Sequence, residues 1–175
     1  MIVYQQNCKT FMADVRESNI DYIIHQQFQQ KLNHRTSESE VNSWKNSMQY
    51  MKNVLEVAEI PSDAMVTIEC QIPQTSKRID FILTGLDEKK QSIAVIIELK
   101  QWSEAEATSK DAVVITQLGG GKRETSHPSY QAWSYADLLS NFNRSVEENQ
   151  IHLSPCAFLH NCEDRTALTL PFYQT

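Results

Sequence analysis

The sequence predicts an α/β sandwich, a mixed central sheet flanked by helices. Three observations predict it. Apolar residues recur at helical spacing from Lys9 to Ala58, three extended β-branched segments follow between Met65 and Gln101, and a helix-like segment beginning at Pro128 precedes a last strand-like one, His152 to Leu159. Helices, three strands, a helix and a strand, in that order, indicate helices covering both faces of a sheet.

At 175 residues, with 41% apolar and 22% charged residues, the chain suits one domain with a proper core. It reads as a single unit over 1–175, with a helical N-terminal part at 8–58 and a core carrying the chemistry at about 60–160. Only 4 Gly and 5 Pro argue against low complexity. No apolar run is long enough to span a bilayer and the N-terminus lacks a signal-like pattern, so no membrane partner and a cytoplasmic location are expected.

Taken in order, Ile2 to Tyr4 is a short edge strand. Phe11, Val15, Ile20, Ile23, Ile24, Phe28 and Leu32 follow helical spacing, broken into two helices at Ser18-Asn19. Ser37 and Glu40 form a capping box for a long helix whose buried stripe is Val41, Trp44, Met48, Met51, Leu55 and Ala58, ending before Pro61. Met65 to Ile72, Arg78 to Thr84 and Ser92 to Gln101 are successive strands, the last two joined through the polar loop Gly85 to Gln91. Ser103 to Asp111 reads as a linker and Ala112 to Leu118 as a short extended piece. Gly119-Gly120-Gly121-Lys122-Arg123 lacks the spacing of a phosphate-binding loop and reads as a flexible basic turn over the mouth of a site. Pro128 suits the first turn of a helix running to about Leu139.

The strand Ser92 to Lys100 is apolar for most of its length and then carries Glu98 and Lys100, two apart and therefore on one face. Asp80 interrupts the preceding apolar strand 18 residues earlier, a separation that lets a hairpin bring it to the same sheet edge, facing the same way. Two carboxylates held together repel unless a cation bridges them, and Mg²⁺ favours one or two carboxylates with water and phosphate. An adjoining lysine adds charge for a developing phosphorane, so the set suits metal-assisted phosphodiester hydrolysis.

Asp80 followed by Glu98-Leu99-Lys100 resembles the PD-(D/E)xK nuclease signature, with Ile79 where the signature often has proline. Gln131-Ala132-Trp133-Ser134-Tyr135 resembles the Gln-x-x-x-Tyr motif of RecB-type members, and on a helix Gln131 and Tyr135 share a face. The stretches Ser43 to Ser47, Ile72 to Phe81, Glu98 to Trp102 and His127 to Trp133 further resemble the amino-terminal nuclease region of bacterial nuclease–helicase proteins with a Schlafen-like ATPase part, a group implicated in defence against phage.

The resemblance implies a restriction-endonuclease-like fold and a Mg²⁺- or Mn²⁺-dependent deoxyribonuclease, with RNA as an alternative substrate. Asp80, Glu98 and the Leu99 carbonyl would hold the metal, Lys100 would help deprotonate water and stabilise transition-state charge, Gln131 would orient the water or bind near the metal, and Tyr135 would support it or touch the substrate backbone. Glu69 is a candidate third metal ligand and Glu40 a weaker one, each with an ordinary alternative in a solvent-facing strand or a cap. Lys77, Arg78, Lys122 and Arg123 are candidate phosphate contacts. A helicase or ATPase part, in a longer protein or a separate chain, is the implied partner, and self-association stays open.

Several cofactors are not expected. Cys8 precedes the core and only Cys156 and Cys162 follow it, so an iron–sulfur cluster of the RecB-type pattern is short of a ligand. His152, Cys156, His160 and Cys162 match no usual zinc spacing and read as residues of one strand reaching the surface. No nucleotide is expected in this chain. A net charge of −6 runs against a nucleic-acid binder and favours the alternative, a catalytically inert nuclease-like docking or binding module.

Overall fold

The computed structural model describes residues 1–32 and 36–169, with Leu32 described by its backbone alone, so its place in the apolar stripe lies outside the described residues. Strand β1 (Ile2–Asn7) leads into helices α1 (Cys8–Arg16), α2 (Ile20–Leu32) and α3 (Glu38–Val57). Strands β2 (Met65–Gln71), β3 (Arg78–Leu86) and β4 (Ser92–Lys100) follow, then β5 (Glu106–Ala107), β6 (Val113–Leu118) and β7 (Gly121–Ser126). Helices α4 (Pro128–Phe142) and α5 (Arg144–Glu148) and strand β8 (His152–Leu159) come next, followed by a single 3₁₀ turn (Thr166–Leu168).

Local chemistry accounts for the boundaries. The Asn7 side chain accepts from the Thr10 N–H at 2.8 Å and starts α1, and Ser18 in the left-handed region (φ 56°) separates α1 from α2. Ser37 caps α3 through the Glu40 N–H at 3.2 Å. The expected reciprocal half of the capping box is not made: the Glu40 carboxylate turns to Arg78, 3.2 Å away. Pro128 occupies the first turn of α4. The β3–β4 turn is shorter than expected, because Gly85 and Leu86 still pair with β4. Asp87 closes it by accepting from the N–H groups of Lys89 and Gln91, both at 2.8 Å.

The main sheet has the order β1-β2-β3-β4-β8, antiparallel except for the parallel pair β4·β8. That pair requires a crossover, which β5 to α5 supply. Helices α1 to α3 cover one face, packing Phe11, Ile24, Trp44, Met48 and Met51 on Ile68, Phe81 and Ile97. Helix α4 covers the other, packing Tyr135 and Ala136 on Ile79, Ile82, Ala94 and Ile96. The stripe from Trp44 to Leu55 is core, as its spacing requires.

The segment expected to be a linker and a lone extended piece instead builds a second, three-stranded sheet, β5-β6-β7. Its buried residues are few, chiefly Val114 and Thr116, and strand β7 is mostly polar, so no apolar period advertises it. The glycine run is its hairpin turn, with Gly119 and Gly120 at φ 57° and 85°.

No helix among the described residues is long and apolar enough to cross a membrane. The four cysteines are free, Cys8 and Cys162 buried and Cys156 exposed. Of the residues weighed for zinc, only His152 and Cys156 lie within β8; His160 and Cys162 follow it, so one strand does not account for all four.

Candidate active site

The paired backbone ladder of β3 and β4 ends at Phe81↔Ile97, whereas β4 continues alongside β8 to Lys100↔Leu159. The two strands thus part at Asp80 and Glu98. The Asp80 carboxylate fills the gap, with Oδ2 accepting the Leu99 N–H at 2.8 Å in place of a backbone carbonyl.

Strand alternation slips at this level. Ile68 and Cys70 stand two apart yet pack in opposite cores, as do Ile79 and Phe81, although the β2·β3 register is the same on both sides of the slip. Glu69 takes it up with a left-handed backbone (φ 53°), a conformation that costs a side-chain-bearing residue about 1–2 kcal/mol. Glu69 therefore follows Ile68 onto the α3 side, and its Oε1 accepts from the Trp44 indole N–H at 2.8 Å. Asp80 turns the same way and lines a cavity with Ser43, Trp44 and Glu69. Glu98 keeps regular alternation on the α4 side. Glu98 and Lys100 line the same cavity, so the two acids meet where the strands separate.

Their carboxyl groups lie within hydrogen-bonding reach of each other. Glu98 Oε1 accepts from Lys100 Nζ at 2.6 Å and from Gln131 Nε2 at 2.7 Å, while its Oε2 is buried without a donor. Gln131 Nε2 also donates to the Tyr135 hydroxyl at 2.9 Å. Hydrogen bonds thus join Glu98, Lys100, Gln131 and Tyr135, with Asp80 on the Leu99 N–H beside them. The cavity beside them measures about 230 Å³ and is lined by Glu40, Glu69, Arg78, Asp80, Glu98 and Lys100, with Leu99.

Burial dominates the electrostatics. It pushes Glu98 up to about 8, helped by the neighbouring Asp80 charge and opposed by Lys100. Burial also raises Asp80, against the Leu99 N–H and the Lys100 charge. Glu69 is pushed up to about 7, burial outweighing its Trp44 bond and the Arg78 charge. A dry carboxyl pair that resists double ionisation has two remedies, a retained proton or a cation.

The remaining candidates divide. Glu69 is buried, not solvent-facing, yet it is held by Trp44 and by Arg78 Nη1 at 3.3 Å. Arg78 spans Glu69 and Glu40 and lies 4.7 Å over the Phe28 ring, so its guanidinium braces this wall. Lys77 is exposed, its Nζ 5.7 Å from the Tyr135 ring centre. Lys122 and Arg123 belong to β7, outside the cavity lining, and Lys122 pairs with Glu106, so the turn expected over the site is the hairpin of the second sheet.

One supporting group escaped the sequence reading. Gln101 Nε2 donates to the Ser43 carbonyl (3.0 Å), Ser43 Oγ (2.7 Å) and Ser47 Oγ (3.2 Å), tying the end of β4 to α3 beside Lys100. The available signal was the pair Ser43 and Ser47, four apart on the buried side of a helix. Compared with family models, curated proteins and solved structures, the chain matches none.

Proposed function

We propose that this chain is a divalent-metal-dependent nuclease of the PD-(D/E)xK type that hydrolyses phosphodiester bonds in DNA. The observation that carries the reading is the Asp80–Glu98 carboxyl pair at the parting of two strands, with Lys100 on one oxygen of Glu98 and the other oxygen buried without a donor. Such an oxygen fits a hard cation. Asp80, Glu98 and the Leu99 carbonyl would hold it, the rest of its shell being water and phosphate. Glu69, held by the Trp44 indole N–H and by Arg78, lines the same cavity and is the candidate third ligand.

Mg²⁺ or Mn²⁺, when bound, supplies Lewis acidity toward a phosphate oxygen and a more acidic water. Lys100, at the cavity edge and held as an ammonium on Glu98, contributes positive charge to the phosphorane and to the hydroxide left when water gives its proton to solvent. Gln131 holds Glu98 in orientation from the opposite side, and Tyr135 fixes Gln131. By resemblance, the chain acts with a helicase or ATPase part in antiphage defence.

The test is Mn²⁺-dependent cleavage of labelled DNA. Wild type is expected to cut, and Asp80→Asn and Lys100→Ala to lose about a thousandfold or more; equal rates in all three refute the assignment. The net charge of −6 favours a second reading, an inert binding module. Absence of Mn²⁺ binding by calorimetry would select that one.

A further inference from the structure

Arg78 opens β3 two residues before Asp80, and both line the cavity beside α3. Its guanidinium lies between acids from two other elements. Nη2 pairs with Glu40 Oε1 of α3 at 3.2 Å, and Nη1 with Glu69 Oε2 of β2 at 3.3 Å. The Phe28 ring, 4.7 Å from Cζ, supports the guanidinium. The cavity lining holds four acids, Glu40, Glu69, Asp80 and Glu98, against two cations, Arg78 and Lys100. When all are ionised the lining carries two negative charges in excess, which one divalent ion balances.

We propose that Arg78 takes the place of the second ion of a two-metal phosphodiesterase, so that this site binds a single Mg²⁺ or Mn²⁺ and the guanidinium supplies the remaining positive charge to the phosphate. This deepens the nuclease reading and rests on it. Two-metal sites set their ions about 4 Å apart and clamp both sides of the reacting phosphate. Here the two acids that a second ion would need, Glu40 and Glu69, are already bridged by one cation. Glu69 stays a candidate ligand of the single ion, because Trp44 and Arg78 engage one lone pair on each of its oxygens. A guanidinium has five N–H groups, and the two ion pairs leave donors for a phosphate oxygen. The Arg78 side chain is 31% exposed, so a substrate in the cavity can reach it. Burial raises both Glu69 and Asp80, and the Arg78 charge opposes it at each, so the guanidinium acts on the same carboxylates as the ion would.

The experiment counts Mn²⁺ on the full chain without DNA, by isothermal titration calorimetry and electron paramagnetic resonance. Wild type is expected to bind one Mn²⁺, with the spectrum of an isolated ion. Arg78→Met, which keeps an apolar stem over Phe28 and removes the charge, is expected to bind two, with the spectrum of a spin-coupled pair. Adding Glu40→Gln to Arg78→Met is expected to return the count to one, and Arg78→Lys is expected to stay at one. In cleavage of labelled DNA, Arg78→Met should lose about 100–1,000-fold at Mn²⁺ concentrations that saturate wild type, and regain about tenfold or more at higher Mn²⁺. Circular dichroism checks that each variant is folded; should Arg78→Met not fold, the counts for wild type and Arg78→Lys decide.

Two Mn²⁺ on wild type or on Arg78→Lys, one on folded Arg78→Met, or undiminished cleavage by Arg78→Met overturns the role of Arg78 and leaves the nuclease reading standing. No Mn²⁺ on wild type overturns both. The expected counts without cleavage of DNA by wild type overturn the nuclease reading alone.

Discussion

Replacing Glu98 by glutamine should stabilise this fold at neutral pH. The Glu98 side chain is buried beside Asp80, and its carboxyl titrates near 8 instead of 4.5. An acid whose folded-state value is raised gives stability that is fully present below its unfolded value. That stability is lost as pH rises toward the folded value, because the unfolded chain ionises first. Each pH unit in that interval costs the native state about 1.4 kcal/mol, so from pH 5 to pH 8 Glu98 alone costs about 3 kcal/mol. For a chain of this length 1 kcal/mol moves Tm by about 2–4 °C. Between pH 5 and pH 8 the wild-type Tm is therefore expected to fall about 6–12 °C further than that of Glu98→Gln. Differential scanning calorimetry across that range measures it. Parallel Tm–pH curves for the two proteins would mean that Glu98 ionises normally, and the argument for a cation at this seam would lose its electrostatic basis.

Four further outcomes follow from the same geometry. Mn²⁺ binding should release a proton below about pH 8, because the carboxyl pair must give one up, and calorimetry in two buffers of different ionisation heat counts it; no buffer dependence would contradict the shared proton. Gln131→Ala should slow cleavage by about 10–100-fold with metal affinity reduced, while Tyr135→Phe, which removes only the hydroxyl that steadies Gln131, should cost less than about tenfold. Phe81→Ala, at a fully buried position edge-on to Phe11 with ring centres 5.6 Å apart, should cost about 3–5 kcal/mol in urea denaturation. Lys122→Ala and Arg123→Ala should leave single-turnover cleavage within about twofold, since these side chains lie outside the cavity lining.

The main sheet and its helices were legible because their periods are strong. The stripe of α3, the apolar run of β4 and the Pro128 start of α4 each bury residues at the spacing their backbone imposes, and β8 pairs alongside β4 over its whole span. The small sheet was not legible, because strands as polar as β7 and as short as β5 leave no apolar period to read. Glu40 shows a different limit. A capping box is a local pattern, and a long-range ion pair to Arg78 took the carboxylate from it.

The candidate site divides along the same line. Residue type and order in the chain were enough to single out Asp80, Glu98 and Lys100, since ionisable groups at the end of a dry strand are visible one residue at a time, whereas Gln131 and Tyr135 were singled out by their resemblance to a known motif. How they meet belonged to the tertiary structure. The parting of β3 from β4, the left-handed Glu69 that slips the alternation, and the brace of Arg78 between two acids all depend on neighbours distant in the chain. Side-chain period is a property of one strand, but the seam where two faces join is a property of several packed together, and only there do Asp80 and Glu98 come into reach of each other.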